Sequence, residues 1–227
     1  MPRRPRIATA GIVFHVLNRR VGRQRLFKFD RDYRAFEKVL EEAVARSGIR
    51  LLSYCLMPNH WHLLMWPNHD AQLSETMRWL TVTHTQRHHA RHRTAGTGPL
   101  YQGRFKSFPV EEDEHFLTVA RYVERNALQA NLVANAEDWP WCSLWRRQRG
   151  NTRERALLSD WPMPRPRNWT EYVNREQTPK ELEKLRTAVR RGSPFGSPSW
   201  QSTMAKRLSL ECTLRPRGRP RKPNHSK

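Results

Sequence analysis

The chain has 227 residues, a formal net charge of +21 at pH 7 and a hydrophobic fraction of 37%. A charge this large repels itself in the compact state, so it implies a polyanionic partner: DNA, RNA or an anionic surface. No apolar run approaches the roughly 20 residues that span a bilayer. The N-terminus MPRRPRIATAG lacks the apolar stretch of a signal peptide. Three scattered cysteines, without a CxxC, exclude a disulfide framework or a zinc ribbon and fit a reducing cytoplasm.

In chain order, residues 11–19 alternate as a strand, with Ile12, Phe14 and Val16 on one face. Residues 30–47 read as a helix capped by Asp30, with Phe36, Val39, Leu40 and Ala43 as its apolar stripe and Gly48 as its end. A strand over 49–57 follows, then a turn at Met57-Pro58-Asn59, then a strand to about Trp66. Residues 71–93 read as a second helix with Leu73, Met77, Leu80 and Thr81 inward. After the break TAGTGP come a strand near 101–110 and a third helix from about Glu111. The order β-α-β-β-α-β plus a helix predicts an α+β, ferredoxin-like antiparallel sheet with helices on one face, and an added helix. From Trp139 to 169 the Pro, Trp and Arg content predicts irregular chain wrapped on a surface. A helix begins at Thr178, with Pro179 at its first position and Glu181 completing a capping box, and ends at Gly192. The division expected is 1–150 as a catalytic domain and 151–227 as a basic C-terminal extension.

The stretch MPNHWHLLMW carries His60 and His62 at i and i+2 on one strand face, with Trp61 on the other. Two such imidazoles are either hydrogen-bonded core groups or two ligands of one divalent metal ion. On the third helix Phe116, Val119, Val123 and Ala127 form the packed stripe, and Thr118, Tyr122, Arg125 and Asn126 an adjacent polar flank. Tyr122 and Asn126 neighbour each other at i and i+4. A tyrosine oxygen can attack a phosphodiester, and an amide oxygen can be a third ligand to a hard cation.

YCLMPNHWHLL, GPLYQGRFKSFPVEEDEHFL, RYVERNALQANLV and DWPWCSL, in this order, resemble the single-tyrosine transposases of the HUH endonuclease superfamily, above all the REP-associated tyrosine transposases. The opening FHVLNRRVGRQRLF and DRDYRAF match the family's start. The resemblance implies a DNA nicking-and-joining enzyme in a bacterial cytoplasm, at the nucleoid, that forms a 5′-phosphotyrosine intermediate on single-stranded, hairpin-associated DNA. Carried over by position, His60 and His62 bind Mg²⁺ or Mn²⁺, Tyr122 is the nucleophile, and Asn126 is a further metal ligand. The chain departs from the family after Asn126, where NALQANLV replaces a Pro- and Gly-containing stretch. One catalytic tyrosine per chain implies successive events in a monomer, or two chains in a homodimer. The rival reading is a non-catalytic DNA- or RNA-binding regulator on the same fold, against which no RNP-type aromatic motif lies on a central strand.

Basic residues would hold the strand. Arg104 and Lys106 are expected to share a strand face and contact phosphate, with Phe105 in the core, and Arg78, Arg87, Arg91 and Arg93 extend the basic surface. His84, His88 and His92 form a helical stripe expected to face phosphate. In the tail, Arg217, Gly218, Arg219, Pro220 and Arg221 resemble an AT-hook, which places arginines in the narrow minor groove of A·T-rich duplex.

Overall fold

The computed structural model describes residues 9–215. The AT-hook-like residues Arg217, Gly218, Arg219, Pro220 and Arg221 lie outside them. The fold is α+β. β1 (Val13–Arg19), α1 (Asp30–Ser47), β2 (Arg50–Met57), β3 (His60–Trp66), α2 (Gln72–His92), β4 (Lys106–Val110) and α3 (Glu114–Gln129) follow one another as the hydrophobic pattern predicts. The four strands form one antiparallel sheet in the order β2-β3-β1-β4. The two middle strands are therefore β1 and β3, the latter being the histidine strand.

Alternation along these strands feeds two cores. Phe14, Val16, Tyr54, Leu56, Trp61 and Leu63 face α1 and α2 and pack on Phe36, Leu40, Met77 and Leu80. Val13, Leu52, Leu64, Phe108 and Val110 face the other way and meet Phe116, Val119, Val123 and Ala127 of α3, all fully buried. The sheet is thus covered on both sides, and α3 lies against the face on which His60 and His62 project.

The N-terminus of α1 is held by Asp32 rather than Asp30. Its Oδ2 accepts the backbone N–H groups of Lys28 and Phe29 at 2.9 and 3.1 Å. Thr81 is not a core residue. It bonds back to the Met77 carbonyl and lines a surface groove. β4 starts only at Lys106: Tyr101 bridges Arg20 and Gln102 N donates to the Arg19 carbonyl, but the chain bends over 102–104 before the strand begins. α3 starts at Glu114, where the Asp113 carboxylate caps the His115 N–H at 2.8 Å.

The Trp- and Pro-rich stretch is more ordered than its composition predicts. It contains α4 (Ser143–Arg149) and α5 (Thr152–Arg155), and α6 (Trp169–Asn174) follows. Its donors cover the open edge of β2. Trp139 Nε1 and Trp161 Nε1 donate to the Leu56 and Leu52 carbonyls at 2.9 and 2.8 Å, and Leu56 N donates to the Trp141 carbonyl at 2.9 Å. An edge strand that would otherwise present bare backbone groups is closed. α7 (Pro179–Arg191) has the predicted Thr178–Glu181 capping box and ends at Gly192 in the left-handed region. α8 (Pro198–Arg207) and α9 (Glu211–Leu214) complete the described chain. Leu157, Leu158, Met204 and Leu208 join the α1/α2 core, and Trp169, Val173, Leu185, Ala188 and Phe195 the α3 core.

Candidate active site

Register builds the site. His62 pairs with Leu17 of β1, and His60 pairs with Arg19. The same alternation puts His15, Arg19, His60 and His62 on the α3 face. His15 Nε2 and His62 Nδ1 are 2.9 Å apart, and their rings stack with centroids 5.0 Å apart. The His60 and His62 rings meet edge to face at 4.9 Å. Tyr122 comes down from α3 onto this cluster, with its ring 5.7 Å from His62 and nearly perpendicular to it, and 6.3 Å from His15. The structure thus brings His60, His62 and Tyr122 together, and adds His15.

His15 and His62 are fully buried, while His60 and Tyr122 are partly open. Burial, then the neighbouring His60, lowers His15 to about 3. Burial, then Arg19, lowers His60 to about 3, and burial, then the adjoining His60 and His15 and Arg19, pushes His62 well below its ordinary value. All three rings are therefore neutral at pH 7, which is the ligating form of imidazole. His62 Nε2 and His15 Nδ1 are buried and have no hydrogen-bond partner among the described residues. His60 Nδ1 contacts Asn59 Oδ1 at 2.5 Å. Burial raises the Tyr122 phenol above its usual value, and the positive charges of Arg186 and Arg19 oppose that rise.

Asn126 sits one turn beyond Tyr122, and its Nδ2 donates to the Tyr122 carbonyl at 2.7 Å. Arg125 does not stand on an open flank. It is buried and donates to the Val173 carbonyl at 2.8 Å, and Arg121 reaches the Glu176 carbonyl at 3.0 Å, so both arginines clamp α3 to the chain around α6. Glu124, fully buried, accepts from Ser53, Ser143 and Trp169.

Phe105 is core, as expected. Arg104 and Lys106 do not share a strand face, because the strand begins at Lys106 and its alternation does not reach Arg104. Lys106 pairs with Leu17 on the histidine side, and Arg104 instead lines a groove of about 740 Å³ with Arg78, Asn18 and Phe105. The His84, His88 and His92 stripe does not face phosphate. His84 and His88 are buried, His84 Nδ1 bonds the Tyr101 hydroxyl at 2.7 Å, and His92 contacts Asp32 at 3.0 Å. α2 turns this stripe towards α1, which the sequence could not specify. A second group of possible cation ligands, Glu111, Asp113 and His115, precedes and opens α3. Glu111 is already bonded to Ser197 N at 2.6 Å, and Asp113 to the His115 N–H.

A lone histidine between Phe14 and Val16 carries no spacing signal, so the sequence alone does not point to His15. Only the β1–β3 register reveals it.

Among the described residues no helix is long and apolar enough to cross a membrane. No curated protein matches the chain. Eight chains of solved structures match it. One is a REP-associated tyrosine transposase bound to a REP hairpin, with TM-score 0.55 and 17% identity over 78% of this chain and 92% of that one, a likeness of fold. Another is a Deinococcus radiodurans protein described as a transposase, with TM-score 0.38 and 16% identity over 58% of this chain and 95% of that one. The model of the IS200-like transposase family matches residues 8–126, more than half of the sequence, and the chain belongs to that family.

Proposed function

We propose that this chain cleaves and rejoins single-stranded DNA beside a hairpin, with Tyr122 as the nucleophile. The observation that carries the reading is the approach of the Tyr122 ring, edge-on, to the buried His62 ring at 5.7 Å, on the face that also holds His60. Family membership supports strand cleavage and transposition as the activity. The REP hairpin in the similar structure supports hairpin-bearing DNA as the substrate class.

The residues present fit a divalent cation. Three neutral imidazoles crowd one small space, and His62 Nε2 is a buried nitrogen without a partner. His60 and His62 would hold the ion, with the Asn126 amide oxygen as a further donor. A bound Mg²⁺ or Mn²⁺ supplies Lewis-acid stabilisation of phosphate charge. Tyr122 attacks phosphorus, so that the bond from its oxygen to phosphorus forms as the bond to the 3′-oxygen breaks. The phenolic proton passes to water, and the departing 3′-oxygen takes one up. The 5′-phosphotyrosine keeps the energy of the phosphodiester, so a second 3′-hydroxyl can reverse the step and join strands. Lys106, on the histidine side of the sheet, holds the backbone by charge, and Arg104 with Arg78 offers further phosphate contacts in the groove on the α2 side. Residues 1–150 form the catalytic unit, and the helices after 150 buttress it.

The test is covalent attachment. Wild-type protein, Mg²⁺ or Mn²⁺ and a pool of single-stranded, hairpin-bearing oligonucleotides should give adducts that survive denaturing gels. Tyr122→Phe should give none while retaining DNA affinity. Adducts formed by the Phe variant would assign the chemistry to another residue. DNA binding by wild type without any adduct would make the chain a binding regulator.

A further inference from the structure

Arg19 closes β1 directly opposite His60. Its backbone is fully used: its N–H donates to Asn18 Oδ1 and its carbonyl accepts from Gln102 N, both at 2.9 Å. Its side chain is not. Nε is buried without a hydrogen-bond partner, and no ion pair among the described residues includes Arg19. Other arginines around the molecule show what a satisfied guanidinium does here: Arg87 pairs with Glu42 at 2.7 Å, and Arg146 with Glu37 and Glu41 at 3.3 and 3.0 Å.

The groups that feel the Arg19 charge are Tyr122, His60 and His62, together with Arg23. None of these is an anion at pH 7. A half-buried guanidinium without a counter-charge is costly unless an anion is delivered to it. Arginine stays protonated in such a place, and its planar fork suits two oxygens of a phosphate. The anion brought there by the proposed reaction is the scissile phosphodiester, which must sit between the Tyr122 oxygen and the histidine pair.

We propose that Arg19 is a catalytic residue that holds a non-bridging oxygen of the scissile phosphate while Tyr122 attacks phosphorus. The assignment rests on the Tyr122 reading above. Arg19 remains protonated throughout and neither gives nor takes a proton. A guanidinium on that oxygen meets charge that grows as phosphorus is attacked, so its effect falls on the rate of the bound complex rather than on DNA affinity. Lys106, which opens β4 on the histidine side, is the contrast: its loss should appear in the dissociation constant.

The experiment measures single-turnover adduct formation at saturating oligonucleotide, with the dissociation constant taken separately by fluorescence anisotropy. Arg19→Gln should slow the bound complex on the order of a hundredfold with nearly unchanged DNA affinity. Arg19→Lys should recover part of the rate. Arg19→Ala should be accelerated by added guanidinium or methylguanidinium, a rescue that a purely structural role would not show. Mn²⁺ binding, read by electron paramagnetic resonance, should persist in each variant and reports that the histidine site is still folded. If Arg19→Ala does not fold, the Lys and Gln variants decide. Wild-type rate in Arg19→Gln overturns the assignment, as does a loss confined to the dissociation constant, or a Lys variant as slow as Gln with no rescue of Ala by guanidinium. Absence of adducts with wild type overturns both this and the Tyr122 reading. Adducts with wild type and undiminished adducts with Arg19→Gln overturn this one alone.

Discussion

His15 and His62 form a buried pair joined through Nε2 and Nδ1 at 2.9 Å, at the crossing of the two central strands. Both rings are neutral, so one nitrogen of the pair donates and the other accepts. If His62 Nδ1 is the donor, Nε2 carries the lone pair that a cation needs. In that tautomer His15 would orient the proposed ligand His62, the task that a carboxylate or a backbone carbonyl performs in many metal sites.

That relationship makes the first prediction. His15→Ala should weaken Mn²⁺ binding by about 10–100-fold, measured by electron paramagnetic resonance on Tyr122→Phe protein so that no turnover intervenes. His60→Ala and His62→Ala should lower it further, and Asn126→Ala less, because the Asn126 amide is engaged with its own helix. Unchanged Mn²⁺ affinity in His60→Ala and His62→Ala would remove the metal from this site.

The second prediction concerns the helix that presents Tyr122. Glu124 Oε2 accepts from Trp169 Nε1 at 2.7 Å, and Oε1 accepts from Ser53 Oγ at 3.2 Å and from Ser143. One carboxylate ties α3 to β2, α4 and α6. Glu124→Ala strips Trp169 Nε1 of its acceptor and each serine hydroxyl of one partner, and should cost about 3 kcal/mol, seen as a lower midpoint in urea unfolding. Glu124→Gln keeps an oxygen for the serines but turns an N–H₂ towards Trp169, so its loss should be smaller. Equal midpoints for wild type and the Ala variant would show that this network does not hold α3 in place.

The third prediction is a pH dependence of stability. Burial, then His88, lowers His84 to about 3, and burial, then His92, lowers His88 to about 4. Unfolded histidine titrates near 6.5. Between about 4 and 6.5 the unfolded chain binds more protons than the folded one, so stability falls as pH drops through this window and these two groups leave it unchanged above. The melting temperature in chelator should therefore decline from pH 6.5 to 4.5, and the His84→Gln/His88→Gln double variant should decline less. An identical slope in the double variant would assign the acid loss to other groups.

How much of this could be read in the sequence follows from which signals are local. The strand alternation, the α3 stripe and the Thr178–Glu181 capping box are short-range patterns, and each has the predicted structure. His60 and His62 share a face by their spacing alone. His15 and Arg19 join them only through the pairing of β1 with β3, and no spacing encodes that register. The alternation that pairs Arg104 with Lys106 runs past the point where β4 begins. The Pro, Trp and Arg content of the stretch from Trp139 predicts irregular chain, whereas Trp139 and Trp161 are donors to the edge of β2. Such a role depends on where a strand edge lies in space.

The fourth prediction concerns the basic tail, residues 216–227. It contains Arg217, Arg219, Arg221, Lys222 and Lys227 and no acidic residue. Every element that builds the histidine and tyrosine site lies upstream of it, so its deletion should spare adduct formation on a short single-stranded substrate. Binding to duplex should weaken. Each phosphate neutralised contributes about 0.9 to the slope of log K against log salt, so losing several contacts should flatten that slope. Arginines placed in a narrow minor groove favour A·T tracts, and the exocyclic amine of guanine obstructs the groove floor, so the loss should be larger on A·T-rich than on G·C-rich duplex. Equal losses on both would make the tail a non-specific basic arm. Unchanged affinity and slope would mean that this charge serves a partner other than duplex DNA.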